Sequence, residues 1–409
     1  MKGRKKRWLT FWILGIQYLL AYFQRVCPAV LAQELMETFK ISATSMGMLS
    51  STYFYTYGLM QVPCGFLNDS WGPKKTLTLF GIIAAISTIM FGLSDSFEMA
   101  IVFRTLVGLG VSVVFVTSMK ILTEYFLPTE IGRVSGVLMT LGGLGWFLAT
   151  FPLAYILEEI GFRTTFVLLG VIILSLTLLT FLIIEDFTQK RERSESQSLR
   201  SLFSDLKMIL RDRHFIGIAF WFFIRGGALF GFFGLWAGPY LMETYSFTVV
   251  DSGNILSMIA FAMVTMGPVM GHISDKILKS RKKVLVYTSI LNSLSWLTLL
   301  TFSKKLDAFS LFLIFFIMGT TVSSVGTIAV ISIRERFPSE ISGVSMGTIN
   351  MFPFLGGVVF QPLLGYIVDI SKNFGRTPFG PYEWVILVLF IGSLLALLSV
   401  SLCEETFKD

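Results

Sequence analysis

Gly65-Phe66-Leu67-Asn68-Asp69-Ser70-Trp71-Gly72-Pro73-Lys74-Lys75 separates the apolar run Met46 to Val62 from a second run that begins at Leu77. A hydrophobic span ends there, turns within a few residues and re-enters. The turn carries one acid, a glycine and two bases. A weaker copy, Gly271-His272-Ile273-Ser274-Asp275 followed by Arg281-Lys282-Lys283, also lies between apolar runs. Gly65 to Gly271 and Asp69 to Asp275 are each a step of 206 residues, close to half of the 409-residue chain. The sequence reads as one design used twice.

Composition places that design in a membrane. Hydrophobic residues make up 54% of the chain and charged residues 14%, with a mean hydropathy of +0.73. A typical soluble domain carries about 25% charged residues, so this chain has too few to cover a water-facing surface. Forty Phe and thirty-six Gly suit lipid-facing helices packed through small residues. The three cysteines, Cys27, Cys64 and Cys403, are too widely spaced for a disulfide framework or a metal motif. With two histidines, His214 and His272, no His-based metal site is expected, and no cofactor. The net charge of +7 comes from bases beside apolar runs, which points to headgroups rather than nucleic acid. No nucleophile cluster marks an enzyme, and no Gly-x4-Gly-Lys-Ser/Thr stretch marks an ATP-driven pump.

Backbone groups in lipid must pair within their own segment, so long apolar runs read as helices. Twelve are expected, over residues 8–33, 44–67, 75–93, 98–122, 131–156, 163–184, 214–240, 250–274, 284–303, 307–331, 341–368 and 383–403. The basic start Met1 to Arg7 leads into the first span rather than into a cleaved signal. Residues 185–213 form the longest polar stretch and read as a linker between a six-helix half over 1–184 and another over 214–409. With alternating sides, twenty-three Lys and Arg fall on the side of both termini and six on the other, at Lys40, Arg163, Lys304, Lys305, Lys372 and Arg376. That bias predicts cytoplasmic termini. Pro128-Thr129-Glu130-Ile131 recurs as Pro338-Ser339-Glu340-Ile341, and Pro152 recurs as Pro362, all at a step of 210 residues.

Gly65-x3-Asp69-x2-Gly72-x-Lys74-Lys75 resembles the signature between helices 2 and 3 of the major facilitator superfamily. Arg104-x3-Gly108 resembles its second signature, and Glu124, Pro128 and Arg133 resemble the acid–proline–arginine run after helix 4. The resemblance covers the whole chain. Tyr18-x3-Tyr22-x2-Arg25 and the tyrosine-rich stretch Tyr53 to Pro63 look like the organic-anion and organophosphate branches, and also like the dipeptide-transporter branch. Helix 5 lacks the Gly-Pro pair of the family's drug exporters. The resemblance implies an all-α membrane protein of twelve helices in two pseudo-symmetric bundles, monomeric, in a bacterial inner membrane. It also implies that Asp69 faces the start of helix 11 near Ile341 when the cytoplasmic side is closed, with Asp275 facing helix 5 near Ile131. A carboxylate at a helix N-terminus gains about 0.3 to 2 kcal/mol, so Asp69, Gly72, Lys74, Lys75, Asp275, Glu124 and Arg133 are the gating candidates.

An ionisable residue at mid-membrane costs about 2.5–3.5 kcal/mol on insertion scales and is a functional candidate by default. Arg25, Arg104, Lys120 and Arg225 fall within spans, whereas no Asp or Glu falls in the middle of one. Lys120 lies near a span end and can snorkel. Tyr18, Tyr22 and Arg25 share one helix face, and Trp221, Arg225, Phe232 and Trp236 share another. The substrate-binding candidates are therefore Arg25, Arg225, Tyr18, Tyr22, Arg104 and Trp221. The expected function is alternating-access transport of a small organic anion, a carboxylate or phosphate ester. A dipeptide carrier, an exporter of a larger amphiphile such as a siderophore or drug, and a transporter-like receptor are the alternatives. Without a mid-membrane carboxylate, exchange or facilitated diffusion is favoured over proton symport.

Overall fold

The computed structural model describes residues 2–185, 205–373 and 380–407; of the expected linker, residues 186–204 lie outside the described residues. Every regular element among the described residues is helical, as apolar backbone in lipid demands. Ten helices are long and apolar enough to cross a membrane, and the bent pair Lys5–Val26 and Pro28–Phe39 makes an eleventh. Ala43–Ser70, 28 residues long, completes the twelve. Ser50, Ser51, Thr52, Thr56, Gln61 and Asn68 lower its apolar content. In chain order the spans are α1 (Lys2–Val26 with Pro28–Phe39), α2 (Ala43–Ser70), α3 (Pro73–Gly92), α4 (Phe97–Tyr125), α5 (Pro128–Leu148, continued over 151–160) and α6 (162–183). They continue as α7 (Arg213–Tyr245), α8 (Val249–Ile277), α9 (Arg281–Thr301), α10 (Ala308–Arg336), α11 (Ser339–Asn373) and α12 (Pro381–Leu402).

The breaks have local causes. Pro28 cannot donate to the preceding turn, and α1 bends by 50° at Cys27. Gly161, at φ 71°, is the one non-helical residue between α5 and α6, a conformation that favours glycine. The α2–α3 turn is shorter than the sequence suggests. Gly65 through Ser70 remain helical, so Asp69 sits in the last turn of α2 and the chain reverses at Trp71-Gly72, where Gly72 takes φ 87°. In the second half, Gly271 to Asp275 are helical as well, widening into a π-helical turn at Ile273–Ile277.

The middle of α7 departs most from the regular helix expected over 214–240: Gly227–Trp236 is π-helical. A side chain at Gly226 would strike the Pro353 backbone, and one at Gly356 would strike the Phe223 carbonyl, so α7 and α11 touch backbone to backbone here. Gln361 Nε2 donates to the Phe230 carbonyl at 2.9 Å, and Trp236 Nε1 donates to the Gln361 carbonyl at 2.8 Å. Close approach through glycine and these cross-helix bonds hold the widened turns in place.

The two ends of the molecule differ. Away from the termini, a Cβ at Gly47 would lie 2.4 Å from the Gln361 carbonyl oxygen, one at Gly365 2.4 Å from that of Ala43, and one at Gly238 1.8 Å from that of Ala29. These contacts join α2 to α11 and α1 to α7. Gly253 likewise meets Phe151, and Gly143 meets Val264, along α5 and α8. Toward the termini the same helix pairs stand apart. A Cβ at Gly65, Gly343 and Gly347, or at Gly132, Gly136, Gly267 and Gly271, would meet nothing within 4 Å. The bundle is closed at one end and open at the end that bears the termini.

Candidate functional site

Arg25 lies in the last turn of the Lys2–Val26 segment of α1, just before the Pro28 bend, and is 2% exposed. Its guanidinium carbon stands 4.3 Å from the ring centre of Tyr22 and 4.6 Å from that of Tyr57, both in the first half. From the second half, Phe354 and Phe230 stand at 5.2 and 5.7 Å. The rings also hold one another: Tyr57 and Phe354 centroids are 4.9 Å apart, Phe54 and Phe230 5.0 Å, and Phe230 and Phe354 5.5 Å. Arg25 Nε has no hydrogen-bond partner. Cation–π contacts each return about 0.5–2 kcal/mol, which offsets part of the cost of burying a charge. The Tyr53 and Tyr57 side chains also bond the guanidinium, and among the described residues Nε is left as a donor without an acceptor.

Carboxylates are placed elsewhere. The one buried acid among the described residues is Glu383, at the first turn of α12. Tyr18 is buried beside Tyr22 at a centroid distance of 5.1 Å, and its hydroxyl points to Met139 Sδ at 3.6 Å. Tyr53, which opens the tyrosine-rich stretch but is not among the binding candidates, donates to the Ala21 carbonyl at 3.1 Å and so fixes α2 against α1.

Arg104 is 1% exposed and donates to the Gln24 carbonyl at 2.6 Å. The Gln24 side chain donates in turn to Thr88 Oγ1 at 2.8 Å. Arg104 thus holds the residue next to Arg25 and positions that turn of α1. Arg225 is also buried, but among α7, α9 and α10. It donates to the Thr321 carbonyl at 2.8 Å and lies 5.7 Å from the Trp221 ring, whose Nε1 donates to Ser289 Oγ at 2.8 Å. The structure brings Tyr22 and Arg25 together with Tyr18 alongside. Arg225 and Trp221 lie apart from that group, inside the second half.

The gating candidates cluster at the open end. Asp69 is largely exposed and is paired with Lys120 of its own half. Asp275 is paired with Arg281, which also bonds Glu335 at 3.0 Å, tying α8, α9 and α10 together. Lys74 Nζ lies 4.9 Å from the Phe181 ring centre, while Lys75, Glu124 and Arg133 are exposed. Phe230, Phe354 and Asp369 went unmarked in the sequence. Asp369 follows Pro362 by the same interval that separates Glu159 from Pro152, so the half-repeat held a signal for it. The two phenylalanines are among forty and carried none.

The chain matches the Major Facilitator Superfamily over residues 14–361 and again over 237–405, and it belongs to that family of membrane transporters. It is a multi-span integral membrane transporter, not an enzyme. It is 24% identical over 396 residues to a probable sulfoacetate transporter of Cupriavidus necator, covering 91% of this chain and 90% of the relative. A probable galactarate/D-glucarate transporter of Escherichia coli is also 24% identical, over 410 residues, with the same coverage. A hexuronate transporter of Bacillus subtilis is 24% identical over 373 residues, covering 86% of each chain. Among solved structures, a D-xylose-proton symporter superposes with a TM-score of 0.79 at 13% identity over 97% of this chain and 98% of that one. A bacterial homologue of a human lysosomal transporter, inward-facing and occupied, superposes with a TM-score of 0.74 at 16% identity over 97% and 96%. These likenesses show the shared fold.

Proposed function

We propose that this protein carries a small organic anion bearing a carboxylate or a similar planar acid group, with Arg25 as the group that holds it. The observation that carries the reading is a guanidinium at the junction of the halves, 2% exposed, with aromatic faces around it and, among the described residues, no carboxylate acting on it. A planar fork of donors matches an acid group in pairs, and lysine cannot reproduce it. The relatives named for sulfoacetate, galactarate and D-glucarate, and hexuronate all take anions, which supports the same class here. On this reading Arg104 positions α1, and Arg225 holds α7 against α10.

Transport follows from the two differing ends. Halves at 1–184 and 214–409, joined by a linker at 185–213, rock about the Arg25 level, so that the open end closes while the closed end opens. The basic bias supports termini in the cytoplasm, and on that reading this is the inward-open form of a monomeric carrier in a bacterial inner membrane. Thermal unfolding of the detergent-purified protein against sulfoacetate, D-galacturonate, D-glucarate, a dipeptide and D-xylose tests the class. One or more of the anions should raise Tm while the dipeptide and the neutral sugar do not; stabilisation by the neutral sugar alone would overturn the reading.

A further inference from the structure

We infer that this carrier moves its anion with no accompanying proton, so that the charge crossing the membrane in each cycle is the anion's own and an inside-negative potential drives net export. The inference rests on the anion reading above. A proton-coupled carrier needs a group on the substrate path that gains and loses a proton between the pH values of the two sides. Among the described residues, the titratable and charged groups that act on Arg25 are Tyr18 and Tyr22 from α1 and Tyr53 and Tyr57 from α2, with Arg104 from α4 beyond the adjacent Gln24. The second half contributes Phe230 and Phe354, which do not titrate. Tyrosines ordinarily titrate near 10, arginine stays charged, and glutamine has no proton to exchange.

Four acids at helix ends are already engaged. Asp69 is held by Lys120, Asp275 by Arg281, Glu130 by Arg7 and Asp369 by the first turn of α2. They are placed to set which end is open.

Two further features decide what kind of uncoupled carrier this is. Arg25 sits where the halves meet, so rocking them alters access to it without carrying its charge across. Ring faces from both halves already stand against the guanidinium, at 4.3 and 4.6 Å from one side and 5.2 and 5.7 Å from the other. The halves can therefore close around the charge on aromatic faces alone, and the return step does not require a second anion. Net uniport follows, and one negative charge per cycle shifts the steady-state distribution roughly fiftyfold per 100 mV.

The test uses the full chain in proteoliposomes. The anion giving the largest Tm rise in the screen above is radiolabelled; should none raise Tm, the anion reading fails and this inference with it. For a monoanion such as D-galacturonate, a potassium–valinomycin potential of about 100 mV, negative inside, should drive the outside-to-inside ratio to roughly fiftyfold. A one-unit pH gradient at zero potential should leave the ratio within about twofold of unity. Anion that binds but accumulates about tenfold on a pH or sodium gradient at zero potential would overturn the inference and spare the anion reading. So would flux that occurs only against a counter-anion.

Discussion

Asp369 of α11 accepts hydrogen bonds from both the backbone N–H and the hydroxyl of Thr44, at 2.8 and 2.6 Å. The Ala43 N–H adds a third at 3.0 Å. These are the unpaired donors of the first turn of α2, and a carboxylate there gains from both the bonds and the helix dipole. The contact bridges the halves at the closed end. Its counterpart by the half-repeat, Glu159, is exposed, and the start of α8 is capped instead by its own Thr248 and Asp251. The clasp is therefore one-sided.

Replacing Asp369 with Asn should weaken the closed end by about 1–3 kcal/mol. Spin labels at Ser42→Cys and Lys372→Cys would then show a longer-distance population absent from the parent. Distances that match the parent would mean that Asp369 caps α2 without bearing on closure.

Asp69 and Lys120 pair at the other end. Their pairing keeps Asp69 within its own half while the terminus-bearing end is open. Lys120→Gln should free the carboxylate to reach the start of α11, and Asp69→Asn should remove it. The rate of cross-linking between Gly65→Cys and Gly343→Cys reports closure of that end. It should rise in the first variant and fall in the second; shifts in the same direction would contradict a competition for Asp69.

Close glycine contacts give a graded prediction. Gly365→Ala places a methyl 2.4 Å from the Ala43 carbonyl oxygen, and overpacking of this kind typically costs about 1–3 kcal/mol. Gly347→Ala meets open space and should be neutral, or stabilising by about 0.5–1 kcal/mol through helix propensity. Thermal unfolding in detergent should separate the two variants by several degrees. Equal melting points would show that the α2–α11 contact contributes little.

Arg225 offers a contrast with Arg25. Its hydrogen bond to the Thr321 carbonyl joins α7 to α10 within one half. Arg225→Gln should lower Tm while leaving anion affinity within about threefold of the parent, as measured by calorimetric titration. A tenfold loss of affinity in protein of unchanged stability would return Arg225 to the binding site.

The fold was legible because lipid leaves the backbone few options. Apolar runs, the doubled Gly–Asp turn and the proline step of 210 residues were enough to give twelve helices in two related bundles. Arg25 stood out for a related reason, since a charge within a span demands a purpose, and its part in binding is the proposal tested below. Of its neighbours, Tyr22 was marked by its spacing and the rings of the second half were not. The stripe Trp221, Arg225, Phe232 and Trp236 assumes 3.6 residues per turn, and the π-helical stretch Gly227–Trp236 breaks that phase midway. Phe232 and Trp236 are therefore not held to the face that Trp221 and Arg225 share. The ring contacts of Phe230 and Phe354 depend on how the halves meet, which no periodicity within one helix encodes.

The affinity of Arg25→Lys for the anion identified in the thermal screen bears most directly on the central claim. The substitution keeps the charge but loses the paired donors and the flat face that lies against Tyr22 and Tyr57. Losing one charge-assisted contact in a dehydrated site costs about 1.5–3 kcal/mol, so calorimetric titration of folded, membrane-extracted protein should show binding at least tenfold weaker than the parent. Unchanged affinity in that variant would contradict Arg25 as the anion-holding group.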